Sequence, residues 1–287
     1  MKDNSDLKKG WVNRFGIFIL FLMCGLLLFF VSVTFSDMIS KNTAVILRIG
    51  LTIAFLACAL LLRRNERLKK YWLVFFAFSV ATFVQFLSWH FSDLPLRFLN
   101  LTVNTADGIA VAKLSSTVLI VIPIIVLTLI AGGNMDSIYL KKGKLRLGLI
   151  IGLTSFIVLT ALAVMQTLSQ NISLERIIPV TPWILVFVLS NGLNEELLFR
   201  GLFLKKLEPL LGRNLSNLMM AIILTSTHIK VTYTPDLLIF LVIVFALALV
   251  WGYVMQKTDS LLAPALFHAG ADTLIIMAIF ATYGVGL

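Results

Sequence analysis

The chain is predicted to be an all-α, polytopic membrane protein, a bundle of about nine (eight to nine) transmembrane helices. Three observations predict it. Hydrophobic residues make up 59% of the 287 and charged residues only 13%, where a soluble domain carries about a quarter. The apolar residues gather in runs of about 20, the length that crosses ~30 Å of hydrocarbon. The basic residues gather in short clusters between those runs, where they act as topology signals. The net charge of +10 is therefore read as affinity for anionic head groups, and no basic patch is left for nucleic acid. Cys24 and Cys58 each fall inside an apolar run, which supports neither a disulfide framework nor a cysteine zinc site.

Residues 1–14 carry Lys2, Lys8, Lys9 and Arg14 and lead into the run 15–35. That run is too long for a signal-peptide core and lacks a small-residue cleavage site, so it is read as a retained span. The second span is expected over 44–62, with Arg48 snorkelling to the head groups. The third, over 71–89, is closed by His90 at the interface. The connection 91–113 is the longest in the chain and has room for a re-entrant or surface helix. Spans four and five are expected over 114–131 and 147–168. Span six follows Pro179 and Pro182 over 183–204. A short seventh covers about 215–229, and the eighth and ninth cover 237–255 and 260–280. Residues 1–180 are thus read as a scaffold of about five helices and 181–287 as a catalytic core.

Lys and Arg divide 17 to 5 between alternate sides, which predicts a cytoplasmic amino terminus and, after nine crossings, an external carboxyl terminus. No internal repeat is visible, so the inverted-repeat architecture of many transporters is not supported.

One stretch in span six breaks the apolar pattern, Asn191-Gly-Leu-Asn-Glu195-Glu196-Leu-Leu-Phe-Arg200. Ions at bilayer depth are costly, and they mark functional sites more often than structural ones. A purely structural ion pair accounts for Glu196 and Arg200, one helical turn apart, but leaves Glu195 unexplained. Glu195 points about 100° away from Glu196 on a helix, so the two carboxyls meet different surroundings. Glu195 is the candidate general base and Glu196 with Arg200 the candidate brace. Two of the three histidines, His228 and His268, lie in the same third of the chain. His268 and Asp272 share a helix face, where the carboxylate can hold the imidazole in one tautomer.

At ~1.5 Å per residue, Glu195 and His268 lie about 14 and 12 Å from the cytoplasmic ends of their spans, and His228 about 20 Å from the end of its own. A base beside histidines in a membrane cavity suits activation of water against an amide. A divalent metal, zinc above all, is the alternative use of Glu195, His228 and His268 as ligands. The contiguous His-Glu-x-x-His helix is absent.

Glu195-Glu196-x-x-x-Arg200, His228 after an apolar run, and His268-x-x-x-Asp272 resemble the three ordered motifs of the membrane-embedded CAAX-protease and bacteriocin-processing (CPBP, or Abi) family. The run Lys257-Thr-Asp-Ser-Leu-Leu-Ala-Pro264-Ala-Leu-Phe-His268 resembles that family's approach to its last motif, and the likeness spans about 100 residues. The resemblance implies an intramembrane endopeptidase, in a family often described as metalloproteases, in which Glu195 and His228 activate water. It also implies that His268 and residue 272 steady the oxyanion, while Glu196 and Arg200 hold the site together. Its substrate is expected to be a membrane-associated peptide or lipidated protein, prenylated or of the signal or pheromone type. Two positions depart from the pattern. Leu224 stands where Phe is usual, and Asp272 where Asn is commoner; an ionised Asp cannot donate to an oxyanion. Two other classes compete: a non-catalytic immunity or partner-binding protein retaining the protease fold, and an ion-coupled transporter using the buried Glu and His as a proton relay.

Overall fold

The computed structural model describes residues 4–35 and 38–286, with side chains from residue 13 onward except 32 and 33. Lys2 of the basic leader lies outside the described residues, as do the side chains of Lys8 and Lys9. The regular elements among the described residues are all helices: α1 (Asn4–Gly25, prolonged by a π-helical stretch Leu26–Thr34), α2 (Lys41–Arg64), α3 (Trp72–Phe91), α4 (Leu94–Leu99), α5 (Ala106–Ile130), α6 (Leu145–Ser169), α7 (Leu174–Glu195), α8 (Leu204–Leu211), α9 (Arg213–Ser226), α10 (Leu237–Thr258) and α11 (Leu262–Tyr283), with short 3-10 and π turns between some of them. Among them, eight helical stretches are long and apolar enough to cross a membrane. The protein is a multi-pass integral membrane protein.

Eight is the lower of the two counts expected from the sequence, and the short segment around 215–229 is the one that falls out. α9 holds 14 residues, about 21 Å of helix against ~30 Å of hydrocarbon, and it stops at Ser226. Two helices begin earlier than the hydropathy pattern suggests. α5 starts at Ala106 because the Thr105 side chain accepts from the Gly108 amide and Asp107 sits in the positive first turn. Lys113, expected in a connection, therefore lies two turns inside a span. α7 starts at Leu174 and carries Pro179 and Pro182 within it. Each proline removes one backbone bond there, and the helix continues through both.

The chain forms two compact units. The first comprises residues 1–86 and 202–253. Its centre is aromatic: Phe78 packs on Phe203 at 4.9 Å and on Phe55 at 5.3 Å between ring centroids. Such pairs add about 0.5–1.5 kcal/mol each beyond the area they bury. Arg48, expected at head-group level, is instead buried in this unit at 1% exposure. Cys24 and Cys58 are free thiols, and Cys58 is exposed rather than buried.

The second unit comprises residues 87–201 and 254–287 and carries α5, α6, α7 and α11 around one apolar core. Ala106, Ala110, Ile184, Val188, Ala269 and Phe280 are among its buried members. The loop 139–144 is fastened to the start of α11: the Ser260 hydroxyl donates to the Lys141 carbonyl (2.8 Å) and the Leu261 amide to that of Tyr139 (2.9 Å). α11 approaches its neighbours at backbone distance. A Cβ on Gly192 of α7 would stand 2.5 Å from the Ala265 carbonyl oxygen, and one on Gly270 would stand 2.8 Å from the Phe156 Cα. Replacing either glycine by Ala is expected to lower stability by about 1–3 kcal/mol, because the obstacle is backbone and cannot rotate away. Gly50→Ala, which meets nothing within 4 Å, serves as the control expected to show no loss in thermal unfolding in detergent.

Candidate active site

Glu195 is the last residue of α7, and Glu196–Gly201 forms a π-helical turn whose six residues are all buried. Single π-turns inside helices recur at functional sites, because the extra residue re-aims the side chains that follow. The Arg200 Nη1 donates to Glu196 Oε1 at 2.7 Å, and both side chains are fully buried. The same oxygen lies 2.9 Å from His268 Nδ1. An ionised carboxylate only accepts, so Nδ1 is the donor and the proton on that nitrogen is committed to Glu196. The expected brace is therefore present, and it grips the histidine as well as the arginine.

α11 brings the rest of the constellation. His268 Nε2 stands 3.7 Å from Glu195 Oε2 and 3.7 Å from Asp272 Oδ1. The imidazole was expected to be held by Asp272, but Glu196, on a different helix, makes the shorter contact and orients the ring. Asp272 Oδ2 accepts from Asn191 Nδ2 at 2.9 Å. Asn191 Oδ1 in turn accepts from Lys113 Nζ at 2.8 Å, and that ammonium lies 5.3 Å from the centroid of the Phe187 ring. The two glutamates differ in access, with 19% exposure for the Glu195 side chain and none for Glu196.

His228 belongs to the first unit and is not on a spanning helix. It sits in the turn after α9, with Nδ1 3.0 Å from the Leu224 carbonyl and its ring 6.1 Å from that of Phe240. The carbonyl accepts, so Nδ1 carries the proton and the neutral ring keeps its lone pair on Nε2. The expected zinc set of Glu195, His228 and His268 is divided between the two units. Among the described residues no group of three or more His, Cys, Asp or Glu side chains is placed to hold a metal ion.

Residues 177–274 match the family model described as type II CAAX prenyl endopeptidase Rce1-like. The match covers about a third of the chain and contains Glu195, Glu196, Arg200, His228, His268 and Asp272. Over this segment the chain is similar to the CAAX-protease family. No curated protein and no solved structure matches the chain. The likeness supports a CAAX-type intramembrane protease in general terms.

Set beside the family's motif positions, two neighbours of the site stand out as missed by sequence reasoning. Asn191 opened the quoted stretch but was given no task. Lys113 lies 78 residues from Asn191 in sequence, and only the earlier start of α5 brings it into a span. The available signal was a lysine eight residues after Thr105, which opens a Thr-Ala-Asp-Gly capping sequence.

Breaking a buried pair leaves an uncompensated charge, so Arg200→Met alone is expected to destabilise by about 3–5 kcal/mol. Glu196→Gln combined with Arg200→Met is expected to recover most of that loss in a denaturant titration.

Proposed function

We propose that the protein hydrolyses a peptide bond in a membrane-associated peptide or lipidated protein, with Glu195 as general base. The observation that carries this reading is the division of labour between adjacent carboxylates. Glu196 is held through Oε1 by both Arg200 and His268 in full burial, while Glu195 keeps partial exposure and faces His268 Nε2. In the proposed step, Glu195 takes a proton from water as the oxygen adds to the carbonyl carbon. The oxyanion is stabilised by His268 when Nε2 is protonated, Nδ1 remaining on Glu196. Collapse breaks the C–N bond, and Glu195 returns its proton to the leaving amine. Asp272 accepts from Asn191, so its part is orientation rather than donation to the oxyanion. His228 enters this reading through the family's motif order alone, as a second base with its lone pair on Nε2.

The substrate class is supported by an apolar cavity of about 550 Å³ in the second unit, lined by Leu189 and Leu193 of α7 and Leu262, Ala265 and Leu266 of α11. These leucines flank the chain segments that carry Glu195 and His268, which suits a prenyl group or an apolar peptide segment beside the scissile bond.

We also infer the orientation. With eight crossings Lys230 joins the basic side, Lys257 leaves it and Lys113 falls inside a span, so the division becomes 17 to 4 with a cytoplasmic amino terminus. An even number of crossings returns the carboxyl terminus to the same side.

Glu195→Gln is expected to cut the turnover of a farnesylated Cys-aliphatic-aliphatic-X peptide by about 10²-fold or more while leaving thermal stability unchanged. Glu196→Gln is expected to lower both. Equal turnover in wild type and Glu195→Gln would contradict the assignment. An alkaline phosphatase fusion at the carboxyl terminus is expected to be inactive and a green fluorescent protein fusion bright; the reverse pattern would require a ninth crossing.

A further inference from the structure

We propose that Lys113 and Asn191 are positioning residues of the candidate site, acting through Asp272 to fix the surroundings of His268 Nε2. The inference rests on the protease reading only for its kinetic consequence. The geometry stands independently, within one compact unit and on three helices, α5, α7 and α11.

The order of donors gives the chain a direction. A lysine ammonium has protons and no acceptor, so the Asn191 oxygen must face Lys113 Nζ at 2.8 Å. That fixes the amide, which is otherwise free to flip, with its NH2 toward Asp272. The NH2 then donates to Asp272 Oδ2 at 2.9 Å and defines this oxygen as an acceptor. The remaining oxygen, Oδ1, is left facing His268 Nε2 at 3.7 Å. The Asp272 carboxylate draws the NH2 from one side and Lys113 holds the oxygen from the other, so the two partners reinforce one amide orientation. Asn191 is buried at 7% exposure, so water does not readily substitute for either partner.

A simple staple between α5 and α7 does not require this order. Thr117 already provides one, its hydroxyl lying 3.1 Å from the Ser190 carbonyl and 2.9 Å from that of Lys113, and it bonds backbone only, not the side chains of Lys113, Asn191 or Asp272. The polarised sequence of ammonium, amide and carboxylate goes beyond what joining the two helices demands. Its consequence is a carboxylate of fixed orientation beside the imidazole.

The test uses the full chain in detergent, labelled with [15N]histidine. His90, His228 and His268 are its only histidines, so His268→Gln identifies the ring signals of His268 by their loss. Lys113→Met, Asn191→Asp and Asp272→Asn are each expected to shift those signals, and Thr117→Val is expected to leave them in place. The exchange Asn191→Asp with Asp272→Asn is expected to move them back toward wild type. The carboxylate at 191 then accepts both from Lys113 and from the amide at 272, whose oxygen still faces the ring.

On the farnesylated peptide, the three single variants are expected to lose about tenfold or more in kcat with KM within about twofold, the mark of an interaction expressed in the transition state. The exchange is expected to recover most of that loss, as coupled residues do. His268 signals unmoved by Lys113→Met and by Asn191→Asp would overturn the proposal whatever the kinetics. A wild-type protein that cleaves no peptide would refute the protease reading alone, and the histidine spectra would still decide the positioning role.

Discussion

A carboxylate buried in an apolar helix bundle must be answered by donors, and Glu196 is the point from which the second unit's polar structure follows. Its Oε1 takes both Arg200, from within the same helical segment, and His268, from α11. The first contact neutralises the charge locally; the second ties two helices together and selects which imidazole nitrogen holds a proton. Remove this oxygen and Arg200 becomes a buried cation near Glu195, while His268 loses the partner that sets its ring plane. The brace and the reactive group are therefore parts of one network.

Packing makes that network possible. His268 reaches Glu196 because α11 lies against α7 at backbone distance, which Gly192 permits, and against α6, which Gly270 permits. The π-turn at Glu196–Gly201 then places Glu196 and Arg200 in full burial just after Glu195, the residue with access to the surface. Small residues, a widened turn and two adjacent glutamates combine to give one carboxylate that is fully buried and held through Oε1 and one that retains access. General base catalysis needs the second, and holding the geometry needs the first.

Much of this could be read from the chain. The Glu195-Glu196-x-x-x-Arg200 spacing announced an i, i+4 pair and a remaining carboxylate, and the three ordered motifs carried the family. The choice between eight and nine crossings had a physical source: the segment around 215–229 is apolar enough for a span, but hydropathy does not register that α9 ends at Ser226. Lys113 was hidden by the same limitation in reverse, since a helix cap at Thr105 decides that its surroundings are a span. The partner of His268 was legible only as far as its own helix reaches. Asp272 is the sequence neighbour at i+4, whereas Glu196 lies 72 residues away and is brought in by tertiary packing. The π-turn has no periodic signature at all.

The central claim is that this constellation hydrolyses peptides through Glu195. Comparative peptidomics of cells carrying the wild-type chain and the Glu195→Gln chain at equal abundance tests it most directly. The account predicts membrane-derived peptides with new carboxyl termini that are present with the wild type and absent with the variant, their uncut precursors accumulating in its place. Identical peptide inventories in the two strains would contradict it.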